Sequence, residues 1–124
     1  VYREDWGGGI PEYADVKGGF LRNNSFFGGT LYGVTEKLEY IRALGASVIY
    51  LSPVAEAYSN HKYDVGDFMK VDAGFGGDRA LAELTEKAAS LGIRVMLDGV
   101  FNHVGDNSVY FNKYGTYPSI GAYQ

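Results

Sequence analysis

One arrangement of residues occurs twice in this chain: a helical apolar stripe, then a glycine, then a short apolar run. The glycines are Gly45 and Gly92, and Leu44-Gly45 and Leu91-Gly92 are 47 residues apart. Ser47–Leu51 and Ile93–Leu97 predict strands that are buried on both faces. Helix and strand in alternation predict parallel βα units with a right-handed crossover. The stripes consist of Leu31, Val34, Leu38, Ile41 and Leu44 in the first copy and Leu81, Leu84, Ala88 and Leu91 in the second.

The helix ends carry their own signals. Gly45 and Gly92 lie where C-terminal caps are expected, and Thr30 and Asp78 can act as N-caps. Residues 1–30 lack any period and predict a long ordered loop. The fold class is therefore α/β. A (β/α)8 barrel needs about 250 residues, so 124 residues with two strands would be less than half of one. A small open sheet is the alternative, although it normally has more strands.

Composition excludes several classes of protein. The net charge of −4 and the scattered basic residues argue against a nucleic-acid partner. The absence of cysteine excludes disulfides and thiolate metal sites. The longest apolar run, Ser47–Leu51, is too short to cross a membrane. The chain begins at Val1 without a leader-like segment, which predicts a cut start. The 18 glycines and many tyrosines indicate either a loop-rich protein or a sugar-binding surface.

Ligands of βα proteins bind at the carboxyl ends of the strands. Two segments occupy that position: residues 59–64, here called the His61 loop, and residues 98–103, the His103 loop. Asp98 ends a strand that is expected to be buried, where an unpaired carboxylate is costly. We therefore expect Asp98 to have a partner, either an arginine or a hydroxyl group.

Three short motifs in these regions resemble those of the alpha-amylase family. They are Phe-Phe-Gly-Gly-Thr-Leu at 26–31, His-Lys-Tyr-Asp at 61–64 and Asp-Gly-Val-Phe-Asn-His at 98–103. The order and intervals fit across the whole chain, and the lysine favours the neopullulanase and cyclomaltodextrinase side. The resemblance implies a partial (β/α)8 TIM barrel over 1–103, comprising the second and third strands with their helices. It implies that residues 104–124 start a small domain inserted after the third strand.

The resemblance also implies roles for individual residues. Tyr63 would stack on the sugar next to the scissile bond, and His103 would hydrogen-bond its 6-hydroxyl. His61 would line the same subsite, Asp98 would brace an arginine of the catalytic site, and Asp64 would lie near the pocket. The remaining implied site residue is Asn102, which would anchor the following loop and could ligate a metal. No cofactor is required, and a structural calcium ion could bind the intact parent. Thr30 replaces the family's usual aspartate, which weakens one calcium site.

The family's nucleophile and acid/base come from later barrel strands, so we expect no catalytic residue in this chain. Asp64, Asp67 and Asp72 lie in one predicted loop and offer no acid–nucleophile pair. The resemblance implies a parent that hydrolyses α-glucans such as starch, pullulan, maltooligosaccharides or cyclodextrins, in the bacterial cytoplasm or secreted. Alternatives are a related transglycosylase or isomerase and a non-catalytic amylase-like subunit. The isolated chain is expected to be inactive and to self-associate.

Overall fold

The computed structural model describes Phe26 and residues 28–124 of the chain. The long loop predicted over residues 1–30 lies mostly outside this range. The elements in chain order are helix α1 (Leu31–Ala43), strands β1 (Val48–Leu51), β2 (Ala55–Ala57) and β3 (Val65–Val71), a 3-10 turn (Ala73–Phe75), helix α2 (Gly77–Ser90) and strand β4 (Arg94–Leu97).

Strands β1 and β4 pair in parallel, as the repeated pattern predicts. Their register runs from Val48 opposite Arg94 to Leu51 opposite Leu97. The ladder continues at both ends, because Arg94 N donates to Ser47 O and Asp98 N donates to Leu51 O, both at 3.0 Å. The carboxyl ends of the two strands therefore lie side by side, and the segments that follow them start from the same edge of the sheet.

The core lies between the two helices and one face of this sheet. Leu38, Leu84 and Ala88 are fully buried there, and Ile93, immediately before β4, is buried with them. Burial of each large apolar side chain contributes roughly 1.5–3 kcal/mol. The predicted stripes are thus the packed faces of the helices, although Leu44 at the end of the first stripe is exposed.

The expectation that both strands are buried on both faces is wrong for the described residues. Val48, Tyr50, Met96 and Leu97 are exposed. The helices cover one face of the sheet, and no described element covers the other. A continuous apolar run is typical of a strand that is covered on both faces. The apolar residues on the open face of this sheet therefore indicate that a second layer would pack there.

The helix caps follow the prediction at one end only. Gly45 and Gly92 adopt φ values of +87° and +71°, which confirms both C-caps. The prediction for Asp78 is wrong: Gly76, at φ +101°, takes the N-cap position of α2. Asp78 lies in the first turn, and its carboxylate accepts the Val71 N–H at 2.7 Å. Thr30 occupies the N-cap position of α1 without a side-chain capping bond.

The segment after β1 was predicted as a loop and in fact contains an antiparallel hairpin. Strand β2 pairs with β3 in an irregular register in which Glu56 lies opposite Asp67 and Ala57 opposite Val65. Asp67 therefore belongs to a strand, whereas Asp64 and Asp72 flank it. The His61 loop connects the two strands of this hairpin.

Residues 104–124 form turns and bends that pack along β3. Gly105 N donates to Val65 O, and Val109 N donates to Gly66 O, each at 2.9 Å. Buried Asn112 organises the end of this segment, because its side-chain nitrogen donates to the carbonyls of Tyr117 and Ser119. The domain boundary between residues 103 and 104 stays a prediction.

Candidate functional site

Asp98 joins the two strand-end loops. Tyr63 Oη, from the His61 loop, donates to Asp98 Oδ2 at 3.1 Å. Tyr50 Oη, from strand β1, makes a short hydrogen bond to the same oxygen. The expected partner of Asp98 is therefore supplied by hydroxyl groups, one of the two alternatives that the sequence left open. The carboxylate holds one tyrosine from the neighbouring strand and one from the neighbouring loop.

The Asp98 carboxylate raises the pKa of both phenols. The hydrogen bond to Asp98 is the main cause that raises the pKa of Tyr50 from 10.0 to about 12, with desolvation and the negative charge adding to it. The same hydrogen bond, followed by desolvation, raises the pKa of Tyr63. Both side chains therefore remain neutral donors into a more alkaline range than an ordinary tyrosine. Tyr63 is 42% exposed, so part of its ring remains available to a ligand.

His103 contacts the backbone of the opposite loop. Its Nε2 lies 2.9 Å from Tyr63 O. A carbonyl oxygen can only accept a hydrogen bond, so Nε2 carries the proton in this contact. Nδ1 then faces the Asn102 side-chain nitrogen at 3.5 Å, a long contact in which the amide donates. His103 and Tyr63 are consequently placed next to each other although 40 residues separate them.

The His61 loop is closed by its own side chains. Ser59 N donates to Asp64 Oδ2 at 3.1 Å, and Ser59 Oγ donates to the same carboxylate. Tyr63 N donates to His61 Nδ1 at 3.1 Å, which assigns the His61 proton to Nε2. Asp64 braces the loop internally, whereas His61 and Tyr63 remain exposed on it.

Lys62 is a buried residue to which the sequence assigned no place in the site. Its Nζ donates to Asp72 Oδ2 at 2.7 Å and to Ala57 O at 2.9 Å. It lies over the rings of Phe26 and Phe75, 4.9 and 5.8 Å from their centroids. No sequence signal identifies this pairing, because a lysine beside a histidine and a tyrosine ordinarily indicates a solvated loop.

Tyr50 is the other residue that sequence reasoning missed. It was counted as part of an apolar strand, although its hydroxyl group reaches Asp98. The signal was present: once β1 and β4 are taken as adjacent parallel strands, a tyrosine one residue before the end of β1 can reach the end of β4.

The described residues contain no group of three or more His, Asp or Glu side chains that could hold a metal ion. Asn102 is exposed, and its amide nitrogen faces the His103 ring. The suggestion that Asn102 ligates calcium in the intact parent stays a prediction, as does any calcium near Thr30.

An apolar cleft of about 630 Å³ opens beside Asp98, between the hairpin, helix α2 and the carboxyl end of β4. Its walls include Phe68, Leu97 and Phe101. The rings of Phe68 and Phe101 lie 5.7 Å apart between centroids, so the His103 loop is tied to β3 by aromatic contact. Asp98 is thus a polar group at the rim of an apolar wall.

The model of the alpha amylase catalytic domain matches residues 7–120 of the chain. The chain belongs to the alpha-amylase family. It is 50% identical over 116 residues to the amylopullulanase of Thermoanaerobacterium saccharolyticum, covering 94% of this chain and 9% of that protein. It is 49% identical over 81 residues to the cyclomaltodextrinase of Geobacillus thermopakistaniensis, covering 65% and 14%.

Solved structures of the alpha-amylase family share the fold of the described residues. The cyclic α-maltosyl-(1→6)-maltose hydrolase of Arthrobacter globiformis, in complex with that cyclic sugar, matches with a TM-score of 0.71 and 38% identity. The match covers 81% of this chain and 23% of that structure, so the chain spans less than a quarter of each of these three proteins. The predicted fold class, a partial (β/α)8 barrel, is confirmed. No helix in the described part of this alpha-amylase chain is long and apolar enough to cross a membrane.

Proposed function

We propose that this chain forms part of the sugar-binding floor in a retaining glycoside hydrolase that acts on α-glucans. The observation that carries the proposal is the junction at Tyr63. Its hydroxyl group donates a hydrogen bond to Asp98, and its carbonyl oxygen accepts one from His103. A flat exposed ring, an imidazole and a carboxylate converge at the carboxyl ends of two adjacent parallel strands. This is where barrel enzymes bind their substrates.

Each side chain fits the role that the family resemblance implies. The exposed part of the Tyr63 ring can stack on a pyranose face. His61, protonated on Nε2, can donate to a sugar hydroxyl, and His103 lies within reach of the same sugar. Both tyrosines donate to Oδ2 of Asp98. The resemblance implies that an arginine from another barrel strand binds the other oxygen, Oδ1.

Bond cleavage would depend on groups beyond these residues. Retention requires two carboxyl groups about 5–5.5 Å apart, one acting as nucleophile and one as acid/base. The three aspartates in and beside the hairpin bind structural partners: Asp64 binds Ser59, Asp67 the Met69 N–H, and Asp72 Lys62. We therefore assign the nucleophile and the acid/base to barrel strands outside the 124 residues.

The names of the relatives suggest substrates for the parent enzyme. An amylopullulanase and a cyclomaltodextrinase are similar to this chain, so pullulan, cyclodextrins and linear maltooligosaccharides are the α-glucans to test. Hydrolysis and transglycosylation share the covalent intermediate, and product analysis at high sugar concentration distinguishes them.

The isolated 124-residue chain is proposed to be inactive and to self-associate. Val48, Tyr50 and Met96 expose an apolar sheet face, and β1 and β4 each have a strand edge without a partner among the described residues. Open edges and apolar faces promote association between copies.

The decisive experiment replaces His103 and Tyr63 by alanine, separately, in the full-length enzyme that carries this segment. Loss of contacts to the distorted sugar lowers kcat/KM by roughly tenfold to a thousandfold, or about 1.4–4 kcal/mol of transition-state stabilisation. Tyr40→Ala is the matched control, because Tyr40 is exposed on α1 away from the loops. Wild-type kinetics in both site variants would show that these loops do not touch the substrate.

A further inference from the structure

We propose that Lys62 is a positioning residue, whose buried tether to Asp72 fixes the backbone that presents His61 and Tyr63 to the substrate. The inference rests on the proposed function and assigns a role to a residue that does not itself contact sugar. Lys62 lies between the two exposed site residues in the chain, yet its own side chain is only 2% exposed.

The backbone conformation at Lys62 is unusual and depends on these contacts. Its φ of +64° lies in the left-handed region, which lysine seldom adopts. Such conformations persist where surrounding contacts over-determine them. Here the Lys62 N–H donates to Ser59 Oγ at 3.1 Å, while Nζ is held from the opposite side by Asp72 and Ala57. The loop is thus fixed both by its backbone and by a side chain directed inward.

The other end of the tether is anchored in the hairpin. Asp72 N donates to Val54 O at 2.9 Å, and Asp72 Oδ1 accepts the Gly74 N–H at 2.9 Å. Asp72 is 10% exposed in its side chain, so both charges of the ion pair are largely removed from water. A buried ion pair gives little net stability compared with a well-packed apolar pair. The Lys62–Asp72 ion pair is therefore better explained by the loop conformation that it fixes than by its contribution to the stability of the fold.

That geometry is transmitted directly to the site. Residue 63 makes its two cross-loop contacts through its hydroxyl group, to Asp98, and through its carbonyl, to His103. Both contacts depend on the backbone conformation at Lys62, because it sets the position of the next residue, Tyr63. A shift of the loop would move the Tyr63 ring and the His103 imidazole together, without removing either side chain.

The test compares two variants of the full-length enzyme. One is expected to lose stability but keep the Lys62 tether, and the other to lose the tether but keep more of the stability. Asp72→Asn leaves Lys62 buried without its carboxylate. The amide oxygen can still accept from Nζ and keep the tether, but the amide nitrogen then replaces Oδ1 and the Gly74 N–H loses its acceptor. Lys62→Met with Asp72→Asn removes the buried charge and the tether together. We expect the double variant to have the higher Tm and the lower kcat.

In the folded double variant kcat should fall roughly tenfold to a hundredfold, the effect of misplacing a reacting group by about 1 Å. KM should change by less than about threefold, because the contacting side chains remain. Lys87→Met is the control: this exposed lysine pairs with Glu39 across 3.7 Å, and its loss should leave kinetics unchanged.

A kcat that follows Tm across the variants, or a double variant with kcat within about twofold of wild type, overturns the proposal and leaves Lys62 a purely structural residue. The Tyr63→Ala measurement separates this failure from that of the proposed function. If Tyr63→Ala is impaired while the double variant is not, only the role of Lys62 is wrong.

Discussion

Gly105 lies immediately behind the His103 loop, where the chain passes close to the hairpin. A methyl group added there would lie 2.7 Å from Asp64 O, 3.3 Å from the Asp64 carbonyl carbon and 3.4 Å from Val65 O. All three obstacles are backbone atoms, which cannot rotate away. Gly105 N also donates to Val65 O at 2.9 Å, so the two segments are already as close as the hydrogen bond permits.

Gly105→Ala must therefore separate the two loops of the site. Relief from 2.7 Å to an ordinary contact of about 3.4 Å requires a displacement of about 0.7 Å next to Tyr63. Overpacking of this kind costs about 1–3 kcal/mol of stability. A displacement of about 1 Å can lower the rate a hundredfold, so we expect kcat/KM to fall roughly tenfold to a hundredfold.

The measurement is reducing-sugar release from maltooligosaccharides by the full-length enzyme, together with its thermal denaturation. Gly33→Ala is the matched control, because a methyl group there meets nothing within 4 Å on the exposed side of α1. Alanine in place of a helical glycine should stabilise by about 0.5–1 kcal/mol and leave the kinetics unchanged. A Gly105→Ala enzyme with normal stability and normal kinetics would refute the steric coupling between the loops.

Three further predictions concern the pH response, the core and the isolated chain. The raised pKa of Tyr50 means that its contribution to stability is complete below pH 10 and is lost as the pH rises from 10.0 to about 12. The phenolate absorbance difference between wild type and Tyr50→Phe should therefore have its midpoint near pH 12, and a midpoint near 10 would contradict the Asp98 contact. Leu84→Ala, at a fully buried position between the helices, should cost about 2–5 kcal/mol in denaturant unfolding, and a loss below about 1 kcal/mol would show a looser core. The purified 124-residue chain should scatter light as an oligomer and release no reducing sugar, whereas a monodisperse monomer or measurable hydrolysis would contradict the proposal.

The periodic elements could be predicted from the sequence because each follows from a local rule. The stripe ending at Leu91, the glycine at 92 and the apolar run after it gave the helix end, its C-cap and the strand within one residue of the observed bounds. The parallel pairing followed from the repetition of that pattern. The positions of His61, Tyr63, Asp98 and His103 followed from the rule that loops at one sheet edge converge. Their roles toward a sugar stay predictions.

What escaped prediction depends on contacts between residues distant in sequence. The hairpin β2–β3 is short and irregular, so it lacks the clean alternation that marks a strand. The N-cap of α2 went to Gly76, because the preceding 3-10 turn leaves the chain in a left-handed conformation that glycine tolerates. Aspartate is a favoured N-cap residue, but the carboxylate of Asp78 instead accepts a hydrogen bond from the Val71 N–H. The pairing of Lys62 with Asp72 requires the hairpin to exist first.

His103 is held by the main chain of residue 63 and not by its side chain. Every amino acid at that position supplies the same carbonyl oxygen. The ring at 63 can therefore be exchanged, during evolution or by design, while the histidine keeps its place. The contact with Asp98 differs, because it is made by the side-chain hydroxyl group of residue 63. The contact with His103 can thus form with any residue at position 63, whereas the contact with Asp98 depends on the tyrosine.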